Sequence, residues 1–292
     1  MANLKDLRNR IASVTSTQKI TKAMKMVSAS KLKRAQDAAE SARPYAERME
    51  NVLSSLASSM KGQAGGPKLL SGTGSDQKQL VIVATSERGL CGGFNTNIVK
   101  AAKMKINSLI ADGKDVTIIT IGKKGASVLK REYASKMVEH FDMTHVKNLA
   151  FTDAAPITAR IIEKFEAGEF DVCTLFFAKF VNVLTQVVTP LQLIPASIDE
   201  ERGTDLGGAC YEYEPDENEI LEELLPRNVG VQLFRALLEN GASEQGSRMT
   251  AMDNATRNAG DMIDSLRTTY NRSRQAVITN ELIEIISGAE AL

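Results

Sequence analysis

Residues 4–60 carry a ladder of positions that steps alternately by three and four. Its rungs are Leu4, Leu7, Ile11, Val14, Gln18, Thr21, Lys25, Ser28, Leu32, Ala35, Ala39, Ala42, Ala46, Met49, Leu53, Leu56 and Met60. Nine of these seventeen rungs are large and apolar and four more are alanine, which marks the seam of a coiled coil rather than the face of a strand. At ~1.5 Å per residue such a helix runs on the order of 85 Å, longer than a compact domain is wide. Pro44 is its expected kink, because proline removes a backbone donor. Between Gln18 and Ser28 the rungs are polar, while Ile20, Met24 and Val27 carry an apolar stripe one step round. The seam is therefore expected to drift here, turning a second apolar face outward beside the lysines.

After residues 62–75 (GQAGGPKLLSGTGS), a loop by its Gly, Pro and Ser content, the period changes. QLVIVAT (79–85), DVTIITIG (115–122), FDVCTLFFAKF (170–180) and TQVVTPLQLI (185–194) are β-branched runs. Helical patterns at about 95–111, 123–133 and 154–167 separate the first three. This alternation predicts an open, Rossmann-like α/β sheet, parallel at least in part, with the last two strands as antiparallel neighbours. Residues 199–223 then hold eleven acids against Arg202 alone, a solvated connection. From Pro226, well placed for a first helical turn, a second ladder runs through Val231, Phe234, Leu238, Gly241, Gln245, Arg248, Met252, Ala255, Ala259, Met262, Leu266, Thr269, Ser273, Ala276, Asn280 and Ile283.

The organisation read from these patterns is an N-terminal coiled-coil helix (1–61), a linker (62–78), a central α/β domain (79–196), an acidic connection (197–225) and a C-terminal coiled-coil helix (226–292). Two long helices leaving one domain can bury their seams against each other, as an antiparallel pair. The end of the second helix is different. Ile278, Leu282, Ile283, Ile285 and Ile286 cover well over half of its circumference, and a helix apolar on most sides should be buried on most sides. Either this tip aggregates or other subunits encircle it.

Composition narrows the function more than it names it. The 292 residues are 43% hydrophobic and 25% charged, without tryptophan, and the formal net charge is zero. Against that neutral balance, Met1 to Arg34 contains nine basic residues and one acid, Asp6. No apolar run approaches the ~18 residues of a membrane span, and the start lacks the pattern of a secretory signal. A basic, serine-containing start also fits a transit peptide, but the ladder continues unbroken from residue 4, which assigns the segment to the mature fold. Cys91, Cys173 and Cys210 are too few and scattered for a disulfide framework or a zinc site, and point to a reducing compartment. His140 and His145 read as surface residues on a strand or loop.

The one loop suggestive of a site is TSERGLCGGFN (85–95), at a strand-to-helix junction where glycines let backbone amides approach an anion. It lacks both the dinucleotide fingerprint and the Lys-Ser/Thr of a P-loop. A structural turn is the favoured reading, and phosphate binding by an α/β enzyme with dimerisation arms is the alternative. Cys91 reads as a small buried residue, not a nucleophile. No H-E-x-x-H or G-x-S-x-G motif occurs, and the cationic helix has no aromatics for stacking on bases, so neither catalysis, a cofactor, a metal nor nucleic acid is indicated.

Four ordered stretches closely resemble the gamma subunits of F-type ATP synthases: RIASVTSTQKITKAMKMVSASKLKRAQ (10–36), ERGLCGGFN (87–95), ENGASEQGSRMTAM (239–252) and ITNELIEIISGAEA (278–291). The last contains the terminal signature I-T-x-E, with Glu284, Gly288 and Ala289 after it. The resemblance covers essentially the whole chain and implies a non-catalytic rotor shaft that couples proton transport to ATP synthesis. The implied partners are an alpha3-beta3 hexamer holding the catalytic sites, an epsilon subunit and a membrane c-ring, on the cytoplasmic face of a bacterial plasma membrane and without direct insertion. It further implies rotor–stator contacts at Lys22, Met24, Lys25, Lys31, Lys33, Arg248, Gln275 and Thr279, a bearing at the apolar tip, and c-ring or epsilon contacts at Tyr211, Glu212, Tyr213 and Glu214. The photosynthetic branch carries a cysteine-bearing insertion; here Cys173 and Cys210 are 37 apart with no nearby pair, so thiol switching is not expected.

Overall fold

The computed structural model describes residues 4–59, 67–196 and 217–290. Its elements, in chain order, are α1 (Leu4–Ser59), α2 (Lys68–Ser71), β1 (Lys78–Ala84), α3 (Phe94–Ala111), β2 (Asp115–Ile121), α4 (Lys123–Tyr133), β3 (Met137–Phe141), α5 (Phe151–Glu166), β4 (Val172–Phe180), β5 (Gln186–Ile194) and α6 (Glu217–Glu290). By packing, the chain divides into two units. One comprises Ser30–Ser247; the other comprises Met1–Ala29 with Arg248–Leu292.

The larger unit is built on a five-stranded sheet of order β3-β2-β1-β4-β5. β1 runs parallel to β2 and β4, and β2 parallel to β3, while β5 is antiparallel to β4. Period-two alternation gives the inner strands β1, β2 and β4 two buried faces. Leu80, Ile82 and Ala84 pack with Ile157, Ile161 and Phe165 of α5 and with Val229, Leu233 and Leu237 of α6. Val81 and Val83 pack on the other face with Ile98, Ala102 and Ile106 of α3 and Leu129 of α4. β3 was not anticipated from the sequence. Its five residues alternate half-buried and exposed on the sheet edge, too short and too polar for a period-two signal to stand out.

Pro226 does not open the last helix, which already begins at Glu217 and carries the proline inside. Upstream of it, Ile220, Leu221, Leu224 and Leu225 repeat at helical spacing and bury against Met49, Leu53, Leu69 and Ala196. That apolar gain holds the helix together although Pro226 donates no backbone bond. Likewise α1 continues through Pro44. Among its described residues the linker holds the short helix α2, and residues 62–66 of the linker and 197–216 of the acidic connection lie outside the described residues.

In the smaller unit, α1 and α6 pair in antiparallel fashion. Arg8 donates from Nη2 to the Tyr270 hydroxyl at 3.0 Å, while Lys25 Nζ lies 2.5 Å from Asp253 Oδ1. Along the whole of α1, every described rung of the ladder is buried or half-buried. The expected drift does not occur: Gln18, Thr21, Lys25 and Ser28 stay at the interface because α6 meets them with polar groups. Thr256 donates from its hydroxyl to Thr21 Oγ1 at 2.8 Å, and Gln18 Nε2 lies 3.5 Å from the Thr256 carbonyl. The α6 ladder does slip. After Ala259 the covered positions are Ile263, Leu266, Tyr270, Ser273 and Val277, whereas the expected rungs Met262, Thr269, Ala276, Asn280 and Ile283 are exposed.

Candidate functional site: the shaft surface and the closed sheet crevice

In an open α/β sheet, ligands enter beyond the carboxyl ends of the strands, where the chain switches direction. Here that point lies between β1 and β4, since the chain moves from β1 outward to β2 and β3 before α5 returns it to β4. The crevice is filled by α6. Pairing between β1 and β4 ends at Val83 opposite Phe176, which leaves the backbone of Ala178 without a strand on that side. The Ala178 N–H donates to Asn240 Oδ1 at 3.0 Å, and Ser243 Oγ donates to the Ala178 carbonyl at 2.8 Å. Asn240 Nδ2 reaches the Ala84 carbonyl at 3.4 Å, and Ser247 Oγ donates to the Cys91 carbonyl at 2.7 Å. Asn240 and Ser243 are buried, as backbone groups needing partners away from water would require.

The loop before α3 is equally occupied by itself. Asn95 Oδ1 accepts the Ser86 N–H at 3.0 Å, Ser86 Oγ donates to the Arg88 carbonyl at 2.6 Å, and Asn95 Nδ2 lies 3.2 Å from Cys91 Sγ. Cys91 is buried, as is Cys173, whose thiol burial pushes up and away from reactivity. The loop is thus a structural turn whose side chains bond to one another and to its own backbone. His140 is exposed on β3, its Nδ1 3.0 Å from Thr120 Oγ1, and His145 is exposed in the following loop.

The cationic flank of α1 is open, with one exception. Lys22, Lys31 and Lys33 are exposed, Lys33 pairing with Asp37 one turn on, and Met24 is half-buried. Lys25 is half-buried and spends its charge within the smaller unit, on Asp253. Beside them Ile20 and Val27 of the expected stripe are each more than half exposed, as is Met26, so apolar side chains face outward here although the seam itself does not drift. On α6, Arg248 is buried, while Gln275 and Thr279 are exposed, the Thr279 hydroxyl donating to the Gln275 carbonyl at 2.9 Å. The tip residues Ile278, Leu282, Ile283, Ile285 and Ile286 are 48–67% exposed. Tyr211, Glu212, Tyr213 and Glu214 lie outside the described residues. Among the described residues, no helix is long and apolar enough to cross a membrane.

The Lys25–Asp253 pair gives the smaller unit a pH signature. The lysine holds the Asp253 carboxyl below the ordinary carboxylate range, mainly through their hydrogen bond. A carboxylate whose folded pKa is depressed stabilises the fold above its unfolded pKa, and that contribution is lost as pH falls through the folded value. Helicity of the terminal segments is therefore expected to weaken below about pH 4, starting near the unfolded aspartate pKa of ~3.9. Asp253→Asn should flatten that acid limb; an unchanged circular-dichroism pH profile would show that the pair contributes nothing.

The exposed aliphatic residues at the end of α6 agree with the apolar tip expected from the sequence. The stripe Asn240, Ser243 and Ser247 was missed. Its only trace in the sequence is three polar residues at i, i+3 and i+7, off the coiled-coil rungs.

Comparison with known proteins agrees with these features. Residues 3–292 match the family described as ATP synthase. The chain is 63% identical over 294 residues to the ATP synthase gamma chain of Parvibaculum lavamentivorans and 60% identical over 292 residues to that of Roseobacter denitrificans, with all of both chains covered in each case. Among solved structures it is similar to a chain of the Tetrahymena thermophila mitochondrial ATP synthase central stalk and c-ring. That match has a TM-score of 0.60 and 27% identity, and covers 81% of this chain and 99% of that one. A chain of the Euglena gracilis mitochondrial ATP synthase shares the fold at a TM-score of 0.67 and 18% identity, covering 99% of this chain and 94% of that one. With its paired terminal helices, its self-filled crevice and this full-length likeness, the chain belongs to the gamma-chain family of ATP synthase.

Proposed function

We propose that the chain is the central rotor shaft of a bacterial F-type ATP synthase, peripheral on the cytoplasmic face of the plasma membrane. In this reading α1 and α6 turn inside an alpha3-beta3 hexamer whose beta subunits hold the catalytic sites. The sheet unit rides with an epsilon subunit on a c-ring driven by proton flow. The observation that carries it is the α6 tip: five large aliphatic side chains exposed on a helix that no described segment of the chain covers. A tip of that kind needs an apolar sleeve from neighbours. No comparable feature supports a phosphate-binding enzyme, because α6 fills the crevice such an enzyme would use.

The cationic flank fits rotation. Lys22, Lys31 and Lys33, with Met24 between them, would pass acidic levers on the beta subunits. Charge attraction is long-ranged and weakly directional, so it guides a turning surface without locking it. Lys25 contributes less, being held by Asp253. Arg248, Gln275 and Thr279 would meet the stator on the α6 side, and Tyr211 to Glu214 would face the c-ring or epsilon. A visible probe fixed to the sheet unit of the immobilised complex should step on adding ATP; a stationary probe in an ATP-hydrolysing complex would refute the shaft.

Met24→Lys tests the same surface. One added charge contact at 4 Å is worth ~1 kcal/mol in water and ~4 kcal/mol at the effective dielectric of a protein surface, enough to deepen one dwell over the others. Hydrolysis should persist while ATP-driven proton pumping falls by about tenfold, the cost of 1.4 kcal/mol. Pumping at the wild-type level would remove this part of the reading.

A further inference from the structure

The α6 stripe that closes the sheet crevice has a mechanical consequence. Apolar contacts of Val229, Leu233, Ala236 and Leu237 hold α6 on the sheet, but such contacts are non-directional and permit small sliding or rolling. Hydrogen bonds weaken steeply when bent, so they resist that motion. We propose that Asn240, Ser243 and Ser247 form a torque joint that fixes α6 to the sheet so that the two turn as one body; this rests on the rotor reading above.

Three features support the joint. The side chains grip backbone groups of β4 and of the loop after β1, which cannot swing away independently of the sheet. At Ala178 both the N–H and the carbonyl are held by residues one helical turn apart, so rolling α6 either way strains one bond. Ser247 is also the last residue of the sheet unit, which puts the stripe where α6 leaves it. Gly246 allows the approach: a Cβ there would stand 3.3 Å from the Phe180 ring.

The test uses the membrane-bound complex carrying Asn240→Ala with Ser243→Ala, and separately Ser247→Ala and Ser247→Thr. The readouts are assembled complex, ATP hydrolysis, protons pumped per ATP and the angular spread of a bead fixed to the sheet unit. Assembly and hydrolysis should stay within about twofold, while pumping per ATP drops at least about threefold and the angular spread widens. Ser247→Thr, which keeps the hydroxyl, should behave as wild type. Equal losses in hydrolysis and pumping, or unchanged pumping and angular spread, would overturn the joint. If the double variant fails to assemble, a disulfide between Ala178→Cys and Ser243→Cys decides. Its oxidised form should rotate and pump normally, and a block would mean that α6 must move on the sheet. Absence of the chain from the purified ATPase would instead sink the rotor reading itself.

Discussion

Gly122→Ala is expected to destabilise the sheet unit by at least ~3 kcal/mol. Gly122 links β2 to α4 at φ +89° and ψ 139°, a conformation that costs a residue with a Cβ ~1–3 kcal/mol. The added Cβ would also stand 2.2 Å from the Thr85 carbonyl oxygen, which is backbone and has little room to retreat. Thr85 is held in place by its N–H to the Ile121 carbonyl at 2.8 Å and by the Gly125 N–H on its hydroxyl, also at 2.8 Å. At ~2–4 °C per kcal/mol for a unit of this size, calorimetry should show a melting point lower by ~6–12 °C. Gly241→Ala is the control: its Cβ meets nothing within 4 Å, and alanine in a helix gains ~0.5–1 kcal/mol. Equal melting points for the two variants would contradict the tight junction.

Removal of residues 285–292 is expected to have the largest effect on assembly and almost none on the isolated chain. Ile285 and Ile286 are 67% and 57% exposed, so little within the chain depends on them. Buried in a sleeve, each contributes ~1.5–3 kcal/mol, together ~3–6 kcal/mol. Affinity for the hexamer should therefore fall by ~10²–10⁴, at 1.4 kcal/mol per tenfold. Hydrolysis per assembled complex should stay within about twofold. Full assembly with lost hydrolysis would contradict the bearing, as would a shortened chain that no longer melts cooperatively.

The terminal helices were legible because their signal is local. A step of three and four depends on neighbours along the chain, and each described rung of α1 took up its expected position. The exposed tip followed from the same periodicity. β1, β2 and β4 stood out because their β-branched runs are buried on both faces, and β5 by a β-branched run of its own, whereas the edge strand β3, half-wetted and carrying Glu139 and His140, did not.

What the chain alone could not decide was which of two adjacent residues faces a distant partner. Met262 and Ile263 are both apolar, and only the pairing with α1, pinned by Arg8 on Tyr270, buries Ile263 and leaves Met262 in solvent. The start of α6 turned on contacts with Met49 and Leu53, far away in sequence, which outweighed the local preference of Pro226. The filled crevice is likewise a matter of register: β1 stops short of Ala178, and the freed backbone groups need partners that Asn240 and Ser243 supply. Periodicity along the chain thus set the helices and the tip. Seam choice, helix start and closure of the sheet came from burial and hydrogen-bond satisfaction between segments that meet only once the chain is folded.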